Sequence, residues 1–141
     1  VLVTEELRGT TDLAAIARCH PEQLAGPWLD TVIRQLAAHA RLLHDADFIH
    51  GDFKWRNILV SSDGQTPKVF LIDSPQGRRL PGPLRSRGVV KDLACLDKVA
   101  RLCLTRTSRL RFYCRYRGIT RLTPGDRKII MRVVHFFDGR A

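Results

Sequence analysis

Asp52, Lys54 and Asn57 stand within six residues, spaced D-x-K-x-x-N, in the stretch His50-Gly51-Asp52-Phe53-Lys54-Trp55-Arg56-Asn57-Ile58-Leu59-Val60. Thirteen residues past Val60, closing a second apolar run Val69-Phe70-Leu71-Ile72, comes Asp73. Phosphoryl transfer needs a carboxylate near the attacking hydroxyl, oxygen ligands for magnesium, and a cation to offset charge on the moving phosphate. Asp52 could be that carboxylate. Asn57 and Asp73 offer the hard oxygens that magnesium takes. Lys54, two positions after Asp52, points the same way in an extended loop and could reach a γ-phosphate. Singly, either aspartate would be read as a turn or strand-end residue. Four such positions in this order favour a site.

These residues need elements to hold them. Ile58-Leu59-Val60 and Val69 to Ile72 are strand-like, and Ser61-Ser62-Asp63-Gly64 between them is turn chemistry, so a β-hairpin is expected. Upstream, Val1-Leu2-Val3 reads as a strand tail and Glu5 to Gly9 as a linker. Thr10-Thr11-Asp12 is expected to cap a short helix over Leu13 to Cys19. Gly26-Pro27 opens the clearest helix. Trp28, Leu29, Val32, Ile33, Leu36, Ala40 and Leu43 recur there at three- and four-residue steps, ending near His44-Asp45. His39 and His44 need no role beyond the helix dipole. Ser74 to Gly88 holds three prolines, three glycines and four arginines and reads as a long functional loop. Lys91-Asp92 is expected to start the next helix, Ser108 to Arg117 a basic one, and Thr123-Pro124-Gly125-Asp126 the last.

The 141 residues fit one domain with a real core. No apolar run approaches the roughly 20 residues that cross a bilayer, and no signal peptide is visible. The only methionine is Met131, so Val1 is read as a cut end. Formal charge is +10, unevenly placed: residues 1–50 carry four basic and seven acidic side chains, residues 78–121 thirteen and two. An anionic partner is implied for the second part; a solvated basic face is the plain alternative. Cys19, Cys95, Cys103 and Cys114 lack metal-ligand spacing. They are expected as reduced thiols, with Cys95 and Cys103 eight apart on one buried helix face.

The pattern His50-x-Asp52-x-Lys54-x-x-Asn57 followed by Ile72-Asp73 resembles the catalytic loop and magnesium aspartate of the protein-kinase-like superfamily. More narrowly, His50 to Val60, then Leu71-Ile72-Asp73-Ser74-Pro75-Gln76-Gly77, then Lys91-Asp92-Leu93-Ala94, resembles the bacterial lipopolysaccharide kinase family, from about Val1 to Leu104. Those enzymes phosphorylate heptose or Kdo sugars of the lipopolysaccharide inner core from ATP. The resemblance implies an α+β, mostly α-helical fold: a protein-kinase-like C-terminal lobe over 10–141, its small β-hairpin carrying the catalytic and metal loops. Residues 1–9 would be the last strand of the preceding lobe and the hinge.

Roles then carry over one residue at a time. Asp52 would be the catalytic base and Lys54 the stabiliser of the transferring phosphate. Asn57 and Asp73 would hold Mg2+. His50 would brace the loop, and Asp92, at the head of its helix, would hydrogen-bond the loop backbone. Leu59 and Ile72 would floor the adenine of ATP, and Glu5 to Leu7 would read its edge. No glycine-rich loop or Val-Ala-Ile-Lys-like strand occurs in the 141 residues. The N-terminal lobe is therefore expected to be absent, with weak ATP binding and little turnover by this polypeptide alone. The glycine after Asp73 is delayed to Gly77, and no Ala-Pro-Glu follows, unlike a protein kinase switched by its activation loop.

The implied partners are ATP, a lipopolysaccharide core sugar or other anionic glycolipid, and an acidic membrane surface. The implied location is cytoplasmic, peripheral on the inner membrane. An aminoglycoside-phosphotransferase-like kinase shares the His-Gly-Asp and Asp-Leu-Ala patterns, but Lys54-Trp55-Arg56 and Ser74-Pro75-Gln76-Gly77 tilt away from it. A basic nucleic-acid-binding module leaves Asp52, Lys54, Asn57 and Asp73 unexplained and lacks a recognition motif.

Overall fold

The computed structural model describes residues 6–61, 66–74 and 76–140. The strand expected at Val1-Leu2-Val3, the hinge residue Glu5 and most of the hairpin turn lie outside the described residues. The rest begins with β1 (Thr10–Asp12), α1 (Leu13–Cys19) and α2 (Gly26–Asp45), then β2 (Phe48–Ile49), β3 (Ile58–Ser61), β4 (Lys68–Leu71) and β5 (Arg78–Arg79). The chain then turns helical: α3 (Gly82–Cys103), α4 (Arg106–Arg117) and α5 (Pro124–Val134). It is an α+β fold, mostly helical.

The helix α2 forms where the periodicity placed it, with proline in its first turn, where the missing N–H costs nothing. Its buried stripe is Leu29, Val32, Ile33, Leu36, Ala37, Ala40 and His44. Full burial of one such aliphatic side chain stabilises by roughly 1.5–3 kcal/mol. The stripe faces a core shared with Leu13, Phe53, Trp55, Ile58, Val60, Leu93 and Leu96. Among the described residues, no helix is long and apolar enough to cross a membrane.

The expected hairpin has a third strand. Antiparallel β1 pairs with β3, Thr11 opposite Val60, giving a sheet of order β1-β3-β4. A three-residue strand is too short to show alternation in a sequence. Asp12 still caps α1, its Oδ1 accepting from the Ala15 N–H at 2.8 Å.

The long loop expected over Ser74 to Gly88 is corrected. Antiparallel β5 pairs with β2, and α3 starts at Gly82, nine residues before Lys91. Pro81 is the cap and Pro83 lies in the first turn, so neither removes a helical hydrogen bond. Gly88 is kept inside α3 because a Cβ there would meet Ile49 Cγ1 at 2.7 Å. The thiols are corrected too: Cys95 is buried, whereas Cys103 is exposed. Eight helical residues leave two side chains about 80° apart around the axis.

The last helix carries a capping box: Thr123 Oγ1 accepts from the Asp126 N–H at 3.1 Å and Asp126 Oδ2 accepts from the Thr123 N–H at 3.0 Å. Asp126 also accepts from Tyr113 Oη at 2.8 Å and Arg117 Nε at 2.9 Å. The Thr123 backbone and hydroxyl, then Tyr113 and Arg117, hold its carboxyl well below the usual range. A carboxylate with a depressed folded-state pKa stabilises the fold above its unfolded value, near 4, and that contribution drains as pH falls. Asp126→Asn is therefore expected to flatten the acid side of the stability–pH curve below about pH 5. Urea midpoints across that range check it; a limb as steep as the parent's would exclude Asp126 as the cause.

Candidate active site

The loop between β2 and β3 gathers three of the polar residues seen in the sequence. Asp52 Oδ1 lies 2.9 Å from Lys54 Nζ, and its Oδ2 lies 3.7 Å from an Arg56 guanidinium nitrogen. Asn57 Nδ2 donates to the Asp52 backbone oxygen at 2.8 Å and to Oδ2 at 3.0 Å. The 3-10 turn Trp55–Asn57 folds the chain back so that Asn57 can reach Asp52. The Lys54 hydrogen bond, aided by Asn57 and opposed by partial burial, holds the Asp52 carboxyl below its ordinary value. It is thus an anion with one lysine and one amide on it. Lys54→Ala is expected to raise the Asp52 pKa toward the ordinary carboxylate value, followed by carboxyl NMR titration. An unmoved titration would mean that Lys54 does not set the charge.

Asp73 sits two residues beyond β4, exposed, at φ +56°, a left-handed conformation in which aspartate is among the tolerated residues. The backbone ties it to the loop: the Ile72 N–H donates to the Asn57 carbonyl at 3.0 Å. No group of three His, Cys, Asp or Glu side chains able to cage a metal occurs among the described residues. Magnesium does not require one; it keeps waters and binds through one or two side-chain oxygens plus substrate phosphates. The Asn57 amide and the exposed Asp73 carboxylate fit that mode.

His50 is buried and its tautomer follows from its partners. The Asp52 N–H donates to Nδ1 at 3.2 Å, so the ring proton is on Nε2, which donates to the Ile72 carbonyl at 3.2 Å. The ring also stacks on Phe53, 4.8 Å between centroids. Ser74 Oγ donates to the His50 carbonyl at 2.8 Å. One histidine therefore spaces Asp52 against the strand end that precedes Asp73. Gly51 has φ +85°, and a Cβ there would meet the Gln76 carbonyl at 2.9 Å, so glycine is required.

Asp92 is not at a helix head, as expected, but ten residues into α3 and fully buried. From there its Oδ2 accepts from the His50 N–H at 2.9 Å and its Oδ1 from the Gly51 N–H at 3.0 Å. His44 Nε2 lies 3.0 Å from Oδ2, and His44 Nδ1 lies 2.6 Å from Tyr116 Oη. Burial pushes the Tyr116 hydroxyl up to about 12, so it keeps its proton and donates to Nδ1, leaving Nε2–H for Asp92. The chain Tyr116–His44–Asp92–loop was missed in the sequence, where His44 was given only a helix-end role. A signal existed: His44 falls four residues past Ala40 on the apolar stripe of α2, and a buried imidazole needs two partners.

The nucleotide-side positions are more open. Leu59 and Ile72 are half-buried. In β3, Ile58 and Val60 enter the core, so Leu59 takes the other face of the sheet, opposite Phe70. The Leu7 carbonyl accepts from Thr10 Oγ1 at 2.9 Å. Trp55 packs in the core and donates Nε1–H to the Leu96 carbonyl at 2.9 Å.

A model of the lipopolysaccharide kinase (Kdo/WaaP) family matches residues 1–116. Among solved structures, "WaaP in complex with acyl carrier protein" superposes with a TM-score of 0.71 at 26% sequence identity. The match covers 89% of this chain and 52% of that one, so the chain spans about half the length of this relative. Comparison with curated proteins gives no match.

Proposed function

This chain belongs to the lipopolysaccharide kinase (Kdo/WaaP) family, and we propose that it is the C-terminal lobe of an ATP-dependent kinase for a sugar hydroxyl of the lipopolysaccharide inner core. The observation that carries the reading is Asp52: an ionised carboxylate with Lys54 at 2.9 Å and Asn57 at 3.0 Å, on a loop braced from behind by Asp92.

Asp52 orients the acceptor hydroxyl and takes its proton as the oxygen attacks phosphorus. Lys54, half-exposed beside it, turns its ammonium toward the phosphate in transit and offsets charge there. Asn57 and Asp73 would hold Mg2+, which when bound neutralises the β- and γ-phosphate oxygens. Leu59 and Ile72 supply an apolar floor for adenine, with residues 1–9 as the hinge and 10–141 as the lobe. His50, Gly51 and Asp92 keep the loop in shape before substrate arrives, so no reorganisation is needed at the moment of reaction. The 141-residue polypeptide alone is expected to turn over poorly, because the grip on ATP from a glycine-rich loop and a strand lysine is not among its residues. The site of action is the cytoplasmic face of the inner membrane, reached peripherally.

The test is transfer of the γ-phosphate of ATP, with Mg2+, by the full gene product. Lipopolysaccharide whose inner core lacks phosphate should gain a phosphate ester on one core sugar. Transfer to an aminoglycoside but not to lipopolysaccharide would overturn the substrate assignment in favour of the other small-molecule kinases. Salt-sensitive nucleic-acid binding with no transfer to either would overturn the enzyme reading.

A further inference from the structure

A groove of about 800 Å³ runs beside the catalytic loop, reaching Gly51, next in sequence to Asp52, and Gln76 beyond Asp73. Four cations line it: Arg78 on β5, Arg87 and Lys91 one turn apart on α3, and Arg140 past α5. No aspartate or glutamate is among its lining residues, and none of the four makes an ion pair among the described residues. Phe136 and Phe137 form an apolar wall, and the Arg140 guanidinium stacks over the Phe136 ring at 4.2 Å.

The contrast with the basic helix is instructive. There Arg109 is bidentate to Asp97 at 2.7 Å, Arg111 meets Asp30 at 3.1 Å, and Arg117 meets Asp126 at 2.9 Å. Arg101 and Arg115 lie within 3.8 Å of those same aspartates, Asp97 and Asp30. The charge of 101–121 is largely answered within the chain. The unanswered charge is in the groove.

We propose that this groove binds the acceptor and reads an anionic group, a phosphate ester, already present on it. The kinase then acts on a sugar whose glycolipid is phosphorylated elsewhere, and a phosphorylating reaction must precede this one. The inference rests on the kinase reading above and names its substrate more narrowly. Arginine suits phosphate because its planar fork donates two parallel hydrogen bonds. An apolar wall with a few charged groups is how small-molecule sites combine affinity with orientation. Phe136, Phe137 and Arg140 lie beyond residue 116, where the family match stops, so this selectivity belongs to the chain's own C-terminal segment.

The test is binding without ATP, by the full gene product, to vesicles of three kinds: a phosphorylated glycolipid, the same glycolipid after enzymatic dephosphorylation, and phosphatidylglycerol of matched charge. The parent should bind the first at least tenfold more tightly than either of the others. Arg87→Gln with Arg140→Gln, both exposed, should remove most of that preference. Arg121→Gln, exposed and outside the groove, should leave it. Absence of preference overturns the proposal. So does equal binding to phosphatidylglycerol, or equal loss in the Arg121 variant, since either means bulk attraction to an acidic surface. A protein that phosphorylates no sugar can still pass this test, and a kinase indifferent to acceptor phosphate fails it.

Discussion

Replacing Asp52 by asparagine is expected to lower kcat for phosphate transfer by about 10²–10⁴-fold, the usual contribution of a positioned general base. The amide keeps the shape and can still accept the Asn57 hydrogen bond, now 3.0 Å long. What it loses is the capacity to take the hydroxyl proton. The lost contact to Lys54, whose side chain is half-exposed, is a surface pair worth about 0–1 kcal/mol, so the unfolding midpoint should barely move. KM for ATP should stay within a few-fold, because Asp52 faces the acceptor. Steady-state kinetics with a denaturation control separate these effects. Activity within threefold of the parent would remove Asp52 from the chemistry.

Asp92→Ala is expected to cost stability rather than chemistry first. The carboxylate is 0% exposed and accepts from the His50 and Gly51 backbone N–H groups and from His44. Truncation leaves three buried donors without an acceptor, each costing about 1–3 kcal/mol unless water enters. A loss of about 3–5 kcal/mol is expected, comparable to breaking a buried charged pair. That is a large share of a typical domain's stability. Tyr116→Phe removes only the outermost hydrogen bond and should cost about 1 kcal/mol. Denaturant midpoints give both numbers, and amide exchange at His50 and Gly51 should speed up in the alanine variant. If Asp92→Ala cost no more than Tyr116→Phe, the loop would be held by something else.

What could be read in advance was local. Asp52, Lys54 and Asn57 carry their geometry in their spacing, because a short loop with a 3-10 turn leaves few ways to arrange them. The stripe of α2 and the cap of α5 were legible for the same reason: neighbours three and four apart decide them. Contacts spanning long sequence separations were not. Asp92 meets the His50 N–H across 42 positions and His44 meets Tyr116 across 72, and neither spacing carries a pattern. The early start of α3 was hidden by Pro81, Gly82 and Pro83, which signal a loop unless the chain is known to enter a helix there. Gly88 looked like a breaker, and only the packing of Ile49 against it shows why it is tolerated.

The stretch from Ser74 to Pro81 has a consequence for control. Ser74 Oγ is fastened to His50 and the Gly77 N–H to Ser74, β5 is zipped to β2, and the Leu80 N–H reaches the Asp47 carbonyl. A contact to the chain occurs every two or three residues. Nothing in this segment is long or loose enough to swing aside as a gate that a regulator could open by adding a charged group. The geometry around Asp52 is assembled constitutively. Throughput is then governed by how much acceptor and nucleotide reach the site, and the cell must regulate this step by supply and synthesis rather than by switching the enzyme.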